Sequence, residues 1–350
     1  MIVVEVKKKD TWLRRSENLK QYYCYLNEES GIETVSENEL RSKNNNKFLS
    51  FENFENSGGL LGNDYSRLCS IKLTEKTTLG ATAVMWVDDH PSLEIDPDII
   101  NDKDPGHLRI YFSMESRTNR KVHNPSGDFL IQNYFYDILM TYEMNSTIPL
   151  NYLNLNMESE LYLNNEIENY KKSKKFKVAY FASNCGDHTG RDKFVAELSN
   201  YIEVHSFGKC RHNADPSILF PSCKSCNFAK ECILKNFYFT LALENSYDID
   251  YVTEKFYEPL KVGSIPIYRG APNVAKFSPH EDSYINTNDF QNVKSLADYL
   301  HNIIEDDELH FQKTIGWRSE RLKNAQFRNL TKFGFDSSIC RLCFHIKENY

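Results

Sequence analysis

The chain has 350 residues, 40% of them hydrophobic and 13% aromatic, enough for one or two buried cores; at about 100–200 residues per domain, two domains are expected. A formal net charge of −7 argues against a general binder of nucleic acid or of anionic membrane, although a local basic spot can still hold a phosphate. The opening MIVVEVKKKDTWLRR is too short in its apolar run for a signal peptide or anchor, and no later stretch approaches about 18 uninterrupted apolar residues, so a soluble chain without an export signal is expected.

The first 70 residues read as polar and irregular, with SKNNNK (Ser42–Lys47) and ENSGGLLGND (Glu55–Asp64) as surface loops. From Gly80 the pattern tightens, and ATAVMWV and HLRIYFSM look like buried strands that end in polar residues. In Asp128–Met144 the apolar spacing is mixed and does not separate helix from strand, and no internal repeat is found. The basic polar stretch ENYKKSKKFK (Glu168–Lys177) marks a domain boundary, giving domains of 1–170 and 171–350, the latter with a C-terminal tail. Beyond it strands and helices alternate. KVAYFAS, IEVHSF, FYFTLAL and SIPIYR read as strands, and GRDKFVAELSNY, AKECILKN, VTEKFYEPLKV and VKSLADYLHNIIED as helices. Such alternation implies a parallel sheet covered on both faces, a Rossmann-like nucleotide domain. The chain lacks G-x-G-x-x-G and G-x-x-x-x-G-K-[ST], which disfavours a dinucleotide oxidoreductase or a P-loop NTPase. A nucleotide-sugar site, with phosphate held by side chains and a helix start, remains.

The handover ENSYDIDYVTEK (Glu244–Lys255) falls where a buried strand passes into a helix, at the carboxyl edge where ligands bind in such sheets. Val252, Phe256 and Leu260 recur every four residues and form a buried stripe. Asp250 is a good N-cap candidate and Gly263 a good C-terminal stop. Glu254 and Lys255 then lie in the first turn, off the stripe. A helix start offers N–H groups and partial positive charge to a phosphate; Lys255 adds a full charge, and Arg191 can add another. Glu254 repels a phosphate but accepts sugar hydroxyls well, so a ligand with a diphosphate at one end and a sugar at the other suits both signs. An ordinary solvated first turn also favours glutamate. DID (Asp248–Asp250) has the spacing of a D-x-D manganese site, but DPD and DKD occur elsewhere in this acidic chain and capping explains Asp250 without a metal.

Nine cysteines include Cys210, Cys223, Cys226, Cys232, Cys340 and Cys343 in the second half. They suit disulfides in an oxidising compartment or free thiols in a reducing one, and CKSC and CRLC could also be the halves of a zinc site. Asn145 and Asn329 open glycosylation sequons, which arise often by chance in an Asn-rich chain.

The run FYFTLALENSYDIDYVTEKFYEPLKVGSIPIYRGAPNV closely resembles the signature region of the α1,3-fucosyltransferase family, glycosyltransferase family 10. The likeness extends to VAYFASNCG, RDKFVAELSNYIEVHSFGKC, HEDSYINTNDF and CRLCFHI and covers nearly all of Lys177–Ile346. FASNCG, KCRHN, GAPNV and CRLCFHI look most like the plant and invertebrate enzymes of the N-glycan core; LALEN and IYRG are also similar to a vertebrate branch.

The resemblance implies an α/β fold of the GT-B type, two Rossmann-like domains facing a central cleft, with an N-terminal acceptor domain and GDP-β-L-fucose on the C-terminal one. By motif position Arg191 and Lys255 would bind the diphosphate, and Asn245, Tyr251 and Glu254 would contact the sugar and phosphate portion of the donor. In IYFSMESRTNR, Glu115 would be the general base of an inverting transfer to the 3-hydroxyl of a GlcNAc-type acceptor on a glycan or glycoprotein; Arg117 stands where the family has proline. No metal is implied as obligatory, with Mn or Mg as a stimulant at most. The C-terminal cysteine pair would form disulfides, as in family members of the Golgi lumen, whereas the chain as encoded reads as cytoplasmic. A protein side chain is also open as acceptor. The competing readings are a GT-B transferase using another nucleotide sugar and a non-catalytic glycan- or nucleotide-binding homologue, against which the Glu254–Lys255 pair argues.

Overall fold

A computed structural model describes residues 108–119, 136–153, 157–162, 174–185, 189–225, 229–320, 325–334 and 338–350, together with the backbone of five strands before residue 90. The chain divides into two compact units, one of Met1–Glu115, Arg120–Leu150 and Lys332–Tyr350, the other of Ser116–Asn119 and Asn151–Thr331. The sequence reading divided the chain once, near residue 170, and left the tail with the second domain. Here the tail returns to the first unit.

The first unit holds a seven-stranded sheet built from β1 (Ile2–Val6), β2 (Lys20–Asn27), β3 (Gly31–Val35), β4 (Leu68–Thr74), β5 (Ala83–Val87), β6 (Leu108–Ser113) and β7 (Ile138–Thr141), in the order β3-β2-β4-β1-β5-β6-β7. Three of these strands fall within the residues read as irregular. Their short apolar runs, such as IVVEV, become strands through antiparallel partners distant in sequence: β1 between β4 and β5, β2 between β3 and β4. Such pairing is set by tertiary contact more than by local preference. The loops expected at 42–47 and 55–64 lie outside the described residues. Only β5, β6 and β7 run parallel, so the first unit is Rossmann-like over that half of its sheet. Of the ambiguous 128–144 stretch, Ile138–Thr141 is strand, and 128–135 lie outside the described residues.

Ile110, Ile138 and Met140 of this sheet bury against Ile148 and Leu150 and against Cys340, Leu342, Cys343 and Ile346 of the C-terminal helix Ser338–Asn349. Each such side chain contributes about 1.5–3 kcal/mol when removed from water, which explains why the tail belongs here. Arg341 fixes the helix further by donating to the carbonyls of Pro149 and Phe333.

The second unit is the alternating one. Its five strands, β8 (Phe176–Tyr180), β9 (Val204–Ser206), β10 (Phe237–Leu243), β11 (Ile265–Arg269) and β12 (Ile285–Asn286), lie in the order β12-β11-β10-β8-β9, every neighbouring pair parallel. Central β10 is buried at all but Tyr238, as a strand covered on both faces must be. Helices α1 (Arg191–Leu198), α2 (Ala229–Leu234), α3 (Glu254–Lys261) and α4 (Val293–Glu305) match the expected segments, trimmed at their ends. One face packs Val178, Leu241 and Ile267 against Phe194, Leu198, Leu296 and Leu300 of α1 and α4. On the other, Phe237 and Ala179 meet Ile233 and Leu234 of α2.

The α3 stripe is as expected, Val252, Phe256 and Leu260 all being buried. Gly263 ends the helix with φ 68°, a left-handed value that glycine adopts without steric cost. The Gly263 and Ser264 N–H groups donate to the carbonyls of Leu260 and Pro259, the paired closing bonds of a Schellman motif. The N-cap differs from expectation. Thr253, not Asp250, caps α3, its hydroxyl accepting from the Lys255 N–H at 3.4 Å. Asp250 itself takes a left-handed φ of 68° and binds Asn273 instead.

Candidate active site

The carboxyl edge of the second unit's sheet gathers residues from the ends of three strands and the starts of three helices. A cavity of about 430 Å³ opens there, lined by residues that include Gly190, Lys193, Arg269, Asn288 and Phe290. Arg269, the last residue of β11, lies over the rings of Phe194 at 5.2 Å and Tyr247 at 5.7 Å.

At the β10–α3 handover the residue that follows β10 turns inward. Glu244 is fully buried. Its Oε1 accepts from the Thr253 N–H at 2.8 Å, and its Oε2 accepts from the Thr253 hydroxyl at 2.9 Å. Lys255 Nζ stands 3.3 Å from the same Oε2, 3.1 Å from Glu254 Oε1 and 2.8 Å from Thr253 Oγ1. Burial pushes the Glu244 carboxyl up, and Lys255 and Thr253 oppose the rise without cancelling it. Burial works against the Lys255 charge, but Glu244 and Glu254 outweigh it and raise the lysine above its ordinary value. For Glu254 burial pulls upward, and Lys255 beside it wins, holding the carboxyl below its ordinary value. Lys255 is therefore a cation at any physiological pH. Glu254 keeps about 44% of its side chain exposed, open to a ligand.

Arg191 opens α1 and is buried at 3% exposure. Its guanidinium donates to the carbonyls of Leu243, at 3.4 Å, and Asn184. Arg191 and Lys255 are thus anchored on consecutive residues, Leu243 and Glu244, at the end of one strand. Asn245 follows directly and is half-buried. Tyr251 is buried, its carbonyl accepting from Tyr268 Oη at 3.3 Å and its ring edge-on to Tyr152. Five residues expected at the donor site thus share one sheet edge. Glu115 belongs to the first unit, just past the end of β6, where its N–H donates to Ser113 Oγ at 3.2 Å. The Arg117 position raised by the missing proline lies in a short helical turn, Ser116 Oγ accepting from the Asn119 N–H at 3.2 Å.

The two aspartates of DID have protein partners. Asp248 accepts from the Thr118 N–H and hydroxyl at 2.8 and 2.6 Å, and Asp250 is bound to Asn273. Among the described residues no group of three metal-ligating side chains is present. The cysteines pair as Cys185–Cys210 and Cys223–Cys232, and Cys340 and Cys343 are disulfide-bonded as well. The zinc alternative loses these thiols as ligands; Cys226 lies outside the described residues. Sequence reasoning missed Glu244. Its signal was available: a glutamate directly after an unbroken apolar strand.

Residues 171–350 match the family model described as glycosyltransferase family 10 (fucosyltransferase), C-term. A Xenopus tropicalis GDP-fucose protein O-fucosyltransferase 3 is 35% identical over 198 residues, 52% of this chain and 41% of that protein. An alpha-(1,3)-fucosyltransferase B of Drosophila melanogaster is 35% identical over 136 residues, 38% of this chain and 31% of that protein. The chain spans less than half the length of these curated relatives. A crystal structure of an alpha1,3-fucosyltransferase aligns with a TM-score of 0.53 at 17% identity, covering 79% of this chain and 81% of that one, a likeness of fold alone. The fold is of the GT-B type, as the motifs implied. With half of its length matched by the family model, the chain belongs to glycosyltransferase family 10, the fucosyltransferases.

Proposed function

We propose that this protein transfers L-fucose from GDP-β-L-fucose to an acceptor hydroxyl with inversion at the anomeric carbon. The observation that carries the reading is Lys255, held charged by two carboxylates at a helix start on the carboxyl edge of the family-matched sheet. In this reading Lys255 and Arg191 bind the diphosphate, and Asn245, Tyr251 and Glu254 contact the sugar and phosphate portion. Glu115 takes the proton of the acceptor hydroxyl as its oxygen bonds to the anomeric carbon. The bond from that carbon to the diphosphate oxygen breaks, and its electron pair leaves with GDP. The cations at the two helix starts stabilise that departing charge, so an obligatory metal is not part of the proposal; added Mn or Mg stimulates at most.

The motif resemblance favours the 3-hydroxyl of a GlcNAc-type acceptor. A protein hydroxyl is the second reading, supported by relatives named protein O-fucosyltransferases. The disulfides support synthesis in an oxidising compartment. Among the described residues no helix is long and apolar enough to cross a membrane.

Incubation with GDP-fucose, and with other nucleotide sugars in parallel, against an array of GlcNAc-terminated glycans and folded protein domains tests this, with products read by mass. A product heavier by one deoxyhexose residue, formed from GDP-fucose alone, is the expected result. Turnover with another nucleotide sugar only, or with none, rejects the proposal. Glu115→Gln is expected to lower kcat by about 10²–10⁴-fold and to leave GDP affinity nearly unchanged. A loss chiefly of donor affinity points to a different base.

A further inference from the structure

Glu244 has no exposed surface, so it cannot touch a ligand, yet it sits between both helix starts assigned to the diphosphate. Its main chain extends the sheet by one residue, the N–H donating to the Arg269 carbonyl at 2.9 Å. Its carbonyl accepts from the Thr189 hydroxyl at 3.2 Å, two residues before Arg191, whose guanidinium binds the preceding carbonyl of Leu243. Its carboxylate holds the other helix, through the N–H and hydroxyl of Thr253 and the ammonium of Lys255. The residue leading into α1, 55 positions away in sequence, and the cap of α3, nine positions away, thus meet on this one residue, the first at its carbonyl and the second at its carboxylate.

Packing alone does not call for an acid here. Burying a carboxylate costs several kcal/mol after relaxation, and an apolar side chain of similar volume fills space at lower cost. What a carboxylate adds is a fixed counter-charge for Lys255 and a double acceptor for the cap residue. The surroundings make room for it as well. A Cβ at Gly270, directly after β11, would stand 2.5 Å from Glu244 Cγ and 2.5 Å from Tyr268 Oη, so a side chain there must displace one of them.

We infer that Glu244 is a positioning residue for donor binding, its carboxylate holding the Lys255 ammonium at the start of α3 so that it meets the diphosphate beside Arg191. The inference rests on the donor-site reading above. It acts through Lys255 rather than on the ligand, and that distinguishes it from a general stabiliser of the fold. Glu244→Gln keeps the size and one acceptor for the Thr253 N–H but sets an amide NH₂ against the Lys255 ammonium.

Calorimetric titration of GDP into wild type, Glu244→Gln, Lys255→Met and the double variant tests it. Loss of one buried charge-assisted contact predicts about 10- to 100-fold weaker GDP binding for Glu244→Gln. The double variant is expected to bind within about twofold of Lys255→Met alone, because the glutamate has nothing left to position. Losses that multiply, or wild-type affinity in Glu244→Gln, overturn the inference while leaving the donor site intact. Wild-type protein that takes up no GDP overturns the donor reading itself. Should Glu244→Gln fail to fold, Gly270→Ala, which keeps the carboxylate but crowds its Cγ, carries the same expectation at smaller size: a several-fold loss that disappears in the Lys255→Met background.

Discussion

Two lysines of the second unit, one at each end of its sheet, meet opposite fates. Lys174 enters β8 at the amino edge, 8% exposed, with its Nζ donating to the Lys235 carbonyl at 3.0 Å. Burial lowers its pKa to about 7, since one neutral acceptor does not replace water around an ammonium. Lys255 stands at the carboxyl edge, also largely withdrawn from water, but between two carboxylates that raise it. The difference lies in the partners rather than in depth. A cation that is kept charged has a use at a site, whereas Lys174, with its pKa at about 7, is only partly charged near neutral pH and serves the strand.

The largest effect expected from this contrast is in Lys255→Ala. It removes the proposed diphosphate cation and strands the buried Glu244, so GDP-fucose turnover should fall by about 10³-fold or more while circular dichroism still reports a folded chain. Activity near wild type would break the comparison. Glu254→Ala should also abolish turnover, with the fold retained, because its half-exposed carboxylate is proposed to grip the sugar.

The second effect is on stability and has the sign of a lowered lysine. Between about pH 7 and 10.5 the folded state holds Lys174 neutral while the unfolded state binds its proton. Stability therefore rises with pH across that window, by up to about 1.4 kcal/mol per unit, and the full penalty is present below pH 7. Denaturant titrations of wild type at pH 7 and 9 against Lys174→Met measure it; the variant should lose this slope and be the more stable protein at pH 7. GDP affinity over the same range should stay flat as far as Lys255 is concerned, because its pKa lies above the window. A slope that persists in Lys174→Met would assign it to another group.

The smallest effect concerns the helix cap beside Lys255. Thr253→Ala should destabilise by about 1–2 kcal/mol through loss of the α3 cap and of a donor to Glu244, read as a lower denaturation midpoint. Asp250→Ala should leave the α3 start in place, since Thr253 caps it; an equal loss in the two variants would contradict the assignment.

The alternating half was legible residue by residue. FYFTLAL is β10 over its whole length, and the stripe of Val252, Phe256 and Leu260 and the stop at Gly263 follow from local rules alone. Those rules also placed Lys255 and Glu254 in a first helical turn. Asp250 was a reasonable cap by residue type, but a contact with Asn273, 23 residues away, holds it outside the helix. The antiparallel strands of the first 35 residues were not legible, because their partners are distant and their runs are short. Glu244 escaped for a similar reason. A glutamate reads as exposed until the lysine and threonine that cover it are brought together by the fold.

The most direct measurement of the central claim is the affinity for GDP in wild type, Lys174→Met and Lys255→Met under one set of conditions. Tight binding in the first two and at least about a 30-fold loss in the third is the expected pattern, the size of a removed charge-assisted phosphate contact. Equal affinity in all three, or a loss confined to Lys174→Met, would contradict a diphosphate site at the carboxyl edge around Lys255.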